Sequence, residues 1–199
     1  MRLAGHVHEQ ARKDEQAGHL HSAGRKLMRA ANYYFAAERQ THPKDPRKTM
    51  LYKTMLQCFQ QGASWRREPI EWVEIPYGDK TMPALFVPSG LPGPSPCMIH
   101  FDGLDVNKET IYLTGIAHEA RRRGVAMLIV DHPGVGEALR LRGMHGTHQK
   151  QARPSTSHPS HAFHCVSFHH RSLGTNNSAF NCFRSAAPHS CKEIGRAHV

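Results

Sequence analysis

A chain of 199 residues with 39% hydrophobic residues is long enough to bury one sizeable core. Its formal charge of +10 is spread thinly, with Arg121–Arg123 the main basic run, so the compact basic footprint of a nucleic-acid binder is missing. No run of about 18 apolar residues is present to span a membrane, and the N-terminus "MRLAGHVHEQARKDEQ" lacks the apolar core of a secretory signal.

Half of the charge belongs to the last quarter of the chain. Residues 149–199 hold six Lys/Arg, one acid (Glu193), seven of the 17 His and three of the five Cys. The cysteines form no CxxC pair, so reduced thiols in a cytoplasmic setting are expected.

The first predicted element is helix over residues 8–40. Ala23, Leu27, Ala30 or Ala31, Tyr34 and Ala37 recur at spacings of three and four, and Ser22 is a candidate N-cap. "THPKDPRK" interrupts the pattern. A second helix is expected to carry Leu51, Met55 or Leu56 and Phe59, and Gly62 is expected to end it. The stripes read first as core packing. Their functional reading is a lid over a pocket lined by Tyr33 and Tyr34.

At residue 70 the period changes. "IEWVEIPYG" alternates as a strand, "GDK" turns and "TMPALFVPSG" returns, which predicts a β-hairpin over 71–87. "CMIHF" and "VAMLIVD" are short apolar runs of the kind buried in parallel sheets, and residues 107–123 between them read as helix. Hairpin, strand, helix and strand predict an α/β fold with a mixed sheet and a crossover helix. The expected domains are a helical cap segment over 1–66, a core over 67–148 and an irregular tail over 149–199.

The two Gly-containing turns carry the chemistry. "VDHPGVGEALR" fails as a dinucleotide fingerprint because Leu139 stands where the third Gly is needed, and no Gly-Lys-Ser/Thr makes a phosphate loop. An α/β-hydrolase fits better. There, one oxyanion donor comes from the loop after the third strand, where "HFDGLD" stands. Gly103 lets a substrate approach the backbone, and the N–H of Leu104 becomes free to hold an oxyanion, a donor worth roughly 3–4 kcal/mol of barrier. A tight turn alone explains Gly103 equally well.

"SAGRKLMRAANYYFAAERQ", "DGLDVNKE" and "DHPGVGE", in that order, resemble a group of α/β-hydrolases with an N-terminal helical cap, which includes FrsA-like proteins and fungal polyketide-shortening pigment hydrolases. The resemblance spans about residues 8–142. It implies a Ser-His-Asp mechanism with the pocket between cap and sheet. The expected substrate is a small ketone, ester or polyketide-like molecule, and no cofactor or metal is implied. By the same resemblance Leu104 donates the oxyanion N–H, and Gly134, Gly136 and Glu137 form the turn after the fourth strand.

The resemblance stops there. No G-x-S-x-G occurs in the sequence. The nearest match is His170-Arg171-Ser172-Leu173-Gly174, with a side chain where the tight elbow needs Gly, so Ser172 is a weak nucleophile candidate. Glu193 and His198 follow in triad order, but five residues apart at the chain end they have no strands to present them. His158, His161, His164 and Cys165 lack the paired spacing of a zinc site.

"EIGRAHV" can be encoded by GAG ATC GGA AGA GCA CAC GTC, most of which is the start of a common sequencing adapter. Residues from about 149 are therefore expected to be aberrant and to pack little against the rest. Strand "AMLIVD" is then expected to lack its central neighbour, leaving the chain insoluble or molten. Two alternatives to a hydrolase stand beside it: an inactive piece with no function of its own, and a small basic binding module. The sequence leaves the oligomeric state open.

Overall fold

The computed structural model describes residues 1–101, 103, 105–146 and the strand 165–168. Three helices come first: α1 (Arg2–Gln16), α2 (Leu20–Arg39) and α3 (Arg47–Arg66). The single helix expected over 8–40 is two. Gly18 takes φ +78, which turns the chain out of the helix before α2 begins. Ser22 does not cap. It lies inside α2 and donates to Asp14 of α1 at 2.5 Å, while His19 occupies the cap position with no side-chain bond.

Gly62 does not end α3 either. The helix continues to Arg66 and stops at Arg67, which adopts φ +54. Gly62 instead faces Gly24 of α2. A Cβ on either glycine would lie 2.9 Å from the backbone oxygen of the other. The pair sets how closely the two helices approach.

The sheet begins as expected. Strands β1 (Glu71–Tyr77) and β2 (Lys80–Val87) pair antiparallel from Glu71↔Phe86 to Tyr77↔Lys80. Strand β3 (Ser95–Phe101) leads through α4 (Lys108–Leu113) and α5 (Ile116–Arg122) to β4 (Ala126–Val130), and β3 and β4 pair in parallel. The predicted helix over 107–123 is broken by Gly115 at φ +87. Asn107 caps α4, its Oδ1 accepting from the N–H of Thr110 at 3.0 Å. A short α6 (Gly136–Arg140) follows β4.

Strand order is β1-β2-β4-β3-β5, where β5 is Cys165–Phe168. The expectation that "AMLIVD" lacks a neighbour is corrected. β4 lies between β2, paired antiparallel, and β3, paired in parallel. The strand whose outer side depends on later sequence is β3, and there β5 pairs antiparallel, from Ser95↔Phe168 to Met98↔Cys165. Four tail residues thus join the sheet.

Alternation along the strands divides the core in two. Leu85, Val87, Met127 and Ile129 face a cluster that includes Leu27 and Met28 of α2, Tyr52, Met55 and Phe59 of α3, and Tyr112 of α4. Ala84, Cys97, Ala126, Leu128 and Val130 point to the other face with Val73 and Ile75. All five residues of β4 are buried, as a central strand covered on both faces requires. Helical cap and sheet share one apolar cluster, so the cap is packed onto the core.

Candidate active site

The parallel register fixes where the turns lie. Phe101 pairs with Val130, so the chain leaves β3 and β4 at the same edge of the sheet. Gly103 follows one exit and Gly134 the other. Open α/β sheets place their sites outside the carboxyl ends of such strands. Ring centroids of Phe101 and His132, on the two exits, are 6.4 Å apart.

Gly103 is exposed, and among the described residues, its chain neighbours aside, no atom lies within 4 Å of where its Cβ would be. Its φ is outside the left-handed region, so the position is open on its outer side rather than sterically forced. Gly134 and Gly136 do need glycine, with φ +99 and +48. A Cβ on Gly136 would collide with the carboxyl group of Asp131. The reason for that close approach is visible: the N–H of Glu137 donates to Asp131 Oδ2 at 2.8 Å.

Asp131 is the hub of the edge. Fully buried, it takes the N–H of Lys108 on Oδ1 at 2.8 Å and the Lys108 ammonium on Oδ2 at 3.0 Å. One carboxylate therefore ties the loop after β3 to the loop after β4. Lys108, itself 1% exposed, also meets Glu137 Oε2 at 2.8 Å and Glu109 Oε1 at 2.8 Å. Burial alone lowers a lysine, but Glu109 and Asp131 lead the surrounding carboxylates in holding it well above its usual range. Arg142 supplies the second cation, donating to Glu137 at 2.8 Å and to Glu74 of β1 at 2.7 Å.

The cap reaches this edge through other residues than its tyrosines. Buried Glu38 of α2 pairs with Arg140 of α6 at 2.7 Å and with Lys48 of α3 at 2.9 Å. Arg39 pairs with Asp105, in the loop after β3. Tyr34 turns toward α1, where its hydroxyl lies 3.2 Å from His8 Nδ1 and the two rings meet edge to face. Cys58 Sγ is 3.7 Å from the same nitrogen, and burial pushes its thiol up to about 11, far from a reactive thiolate. Tyr33 is half-buried on the same helix.

Leu104 and Ser172 lie outside the described residues, as do Glu193, His198 and most of the His-rich segment. Among the described residues no group of three His, Cys, Asp or Glu is placed to hold a metal ion, and no helix is long and apolar enough to cross a membrane. Lys108, Asp131, Glu38, Arg140 and Arg142 were not singled out in the sequence. The available signal was "NKE" straight after "DGLDV" and an acid closing an entirely apolar strand.

The architecture is that of an α/β-hydrolase with an N-terminal helical cap, present as the cap and the first half of the mixed sheet. It is similar to the crystal structure of the 2,6-dihydroxy-pseudo-oxynicotine hydrolase, with a TM-score of 0.58 and 29% sequence identity over 70% of this chain and 38% of that one. Two structures of AbyA5 match at 23% and 22% identity, over 67% of this chain and 37% and 35% of theirs, with TM-scores of 0.47 and 0.42. The chain thus spans well under half the length of the solved proteins it matches. No protein-family model and no curated protein matches it.

Proposed function

We propose that this chain carries the cap and oxyanion half of a serine hydrolase acting on a small ketone, ester or polyketide-like substrate. The observation that carries the proposal is the shared edge. The turns at Gly103 and Gly134 follow the carboxyl ends of two paired parallel strands, and α2 reaches those ends through Arg39–Asp105 and Glu38–Arg140. By the family resemblance, the N–H of Leu104 is the donor that holds an oxyanion while a serine attacks and a histidine takes its proton. Similarity to a hydrolase over 70% of the chain supports the class.

The 199 residues contain no G-x-S-x-G to supply the nucleophile. Alone, the chain is expected to leave p-nitrophenyl esters untouched, and saturable hydrolysis that disappears in Ser172→Ala would reverse that expectation. The class itself is tested by joining residues 1–146 to the matching remainder of the 2,6-dihydroxy-pseudo-oxynicotine hydrolase. A folded chimera that turns over an ester or ketone substrate supports the proposal. A chimera that melts cooperatively yet stays inactive, with the donor's serine present, sinks it.

A further inference from the structure

A central strand needs cover on both faces, and the described helices supply it on one face only. Helices α1 to α5 all place buried side chains in the cluster with Leu85, Val87, Met127 and Ile129. The opposite cluster is built from strands alone. Val73 and Ile75 come from β1 and Ala84 from β2, with Met82 and Phe86 beside it. Cys97 and Ile99 come from β3, and Ala126, Leu128 and Val130 from β4. No described helix contributes a side chain there. Yet within a single chain Leu128 is 6% exposed, Val130 1% and Cys97 0%. Side chains stand upright on a sheet, so a bare face would leave a leucine of its central strand open to water.

We propose that residues 169–199 lie across this face as the second covering layer of the sheet. The occupant belongs to the same chain, because the face is already buried without a second copy. A dimer formed over it would remove little further apolar surface from water, and apolar surface is what drives such an association.

Among the residues outside the described ones, 169–199 starts in the right place. Strand β5 runs antiparallel to β3 and ends with Phe168 opposite Ser95, so residue 169 follows at the border of the face, two positions along β3 from Cys97. From β3 across β4 and β2 to β1 is three strand spacings, about 14 Å. The 31 residues of the segment exceed that distance several times even as helix, at about 1.5 Å each. Composition separates the two candidate segments. Residues 169–199 hold 11 apolar side chains, among them Leu173, Phe180, Phe183 and Ile194, whereas 147–164 hold three, Ala152, Ala162 and Phe163.

This placement runs against the expectation that residues past 149 pack little, which rested on average composition. A covering segment needs apolar side chains on one side only, so a low overall content is compatible with it. The inference is independent of the hydrolase reading, because the face lies across the sheet and the candidate site lies at the strand ends.

The test is photo-crosslinking in the full 199-residue chain with p-benzoylphenylalanine in place of Phe86, which is half-buried on this face. The same group in place of Trp72, whose ring meets Phe59 on the other side of the hairpin, is the control. Mixing light and isotopically heavy chains separates links within a copy from links between copies. Position 86 should link within one copy to a peptide from 169–199, and position 72 should not. A link from position 86 to a second copy or to 147–164, equal linking from both positions, or no link from position 86 would overturn the proposal. A second measurement leaves the face itself unaltered. Replacing Phe180 and Phe183 by Asp should speed alkylation of Cys97 by about tenfold or more, through local opening of the face, while Cys58 in the other cluster stays protected. An unchanged rate at Cys97 would also overturn it.

Discussion

Single residues at the strand ends carry more than their types suggest. Lys108 and Asp131 are 23 positions apart, and each taken alone reads as an ordinary surface charge. Only the parallel register of β3 and β4 brings them to 3.0 Å. The local hints were an Asp closing five apolar residues and "NKE" straight after "DGLDV". Gly136 was legible as a turn residue, but its reason was not: it leaves room for the Asp131 carboxyl to reach the N–H of Glu137. Removing one partner of a buried ion cluster costs far more than the cluster contributes net, because the remaining charges stay unpaired. Lys108→Met should therefore destabilise the fold by about 3–5 kcal/mol in chemical denaturation. A loss under about 1 kcal/mol, the range of an exposed pair, would mean the cluster is wet.

Among the elements, type and order were legible and glycine was not. The hairpin over 71–87 and the strand-helix-strand unit follow from alternation and apolar runs, which depend on burial alone. Glycine has two uses, a backbone turn at positive φ and a close approach between elements, and a sequence does not distinguish them. Gly18 and Gly115 break helices by the first use; Gly62, expected to end one, serves the second against Gly24. In an isolated helix Gly→Ala gains about 1 kcal/mol. Gly62→Ala should instead lower stability by about 1 kcal/mol or more, since its Cβ meets a backbone oxygen that cannot swing aside. A higher melting temperature for Gly62→Ala would show that α2 and α3 are not in that contact.

For the whole molecule, the neighbour of β4 was misjudged because chain order is not strand order. The hairpin returns beside β4 rather than beside β3, so "AMLIV" is interior and the outer side of β3 meets β5. The candidate site was half legible: the strand-helix-strand unit and its two glycine turns came from the sequence, while the charges that hold the turns needed the fold. Cap, sheet and strand-end loops are joined by one apolar cluster and by ion pairs from Glu38, Arg39 and Arg142. The central claim is that Asp131 fastens the loops after β3 and β4 into one prearranged edge. Native-state hydrogen exchange tests it most directly, through the two amides that donate to Asp131. The N–H groups of Lys108 and Glu137 are predicted to exchange as slowly as those inside β4. Exchange of both at unprotected rates, with β4 still protected, would contradict it.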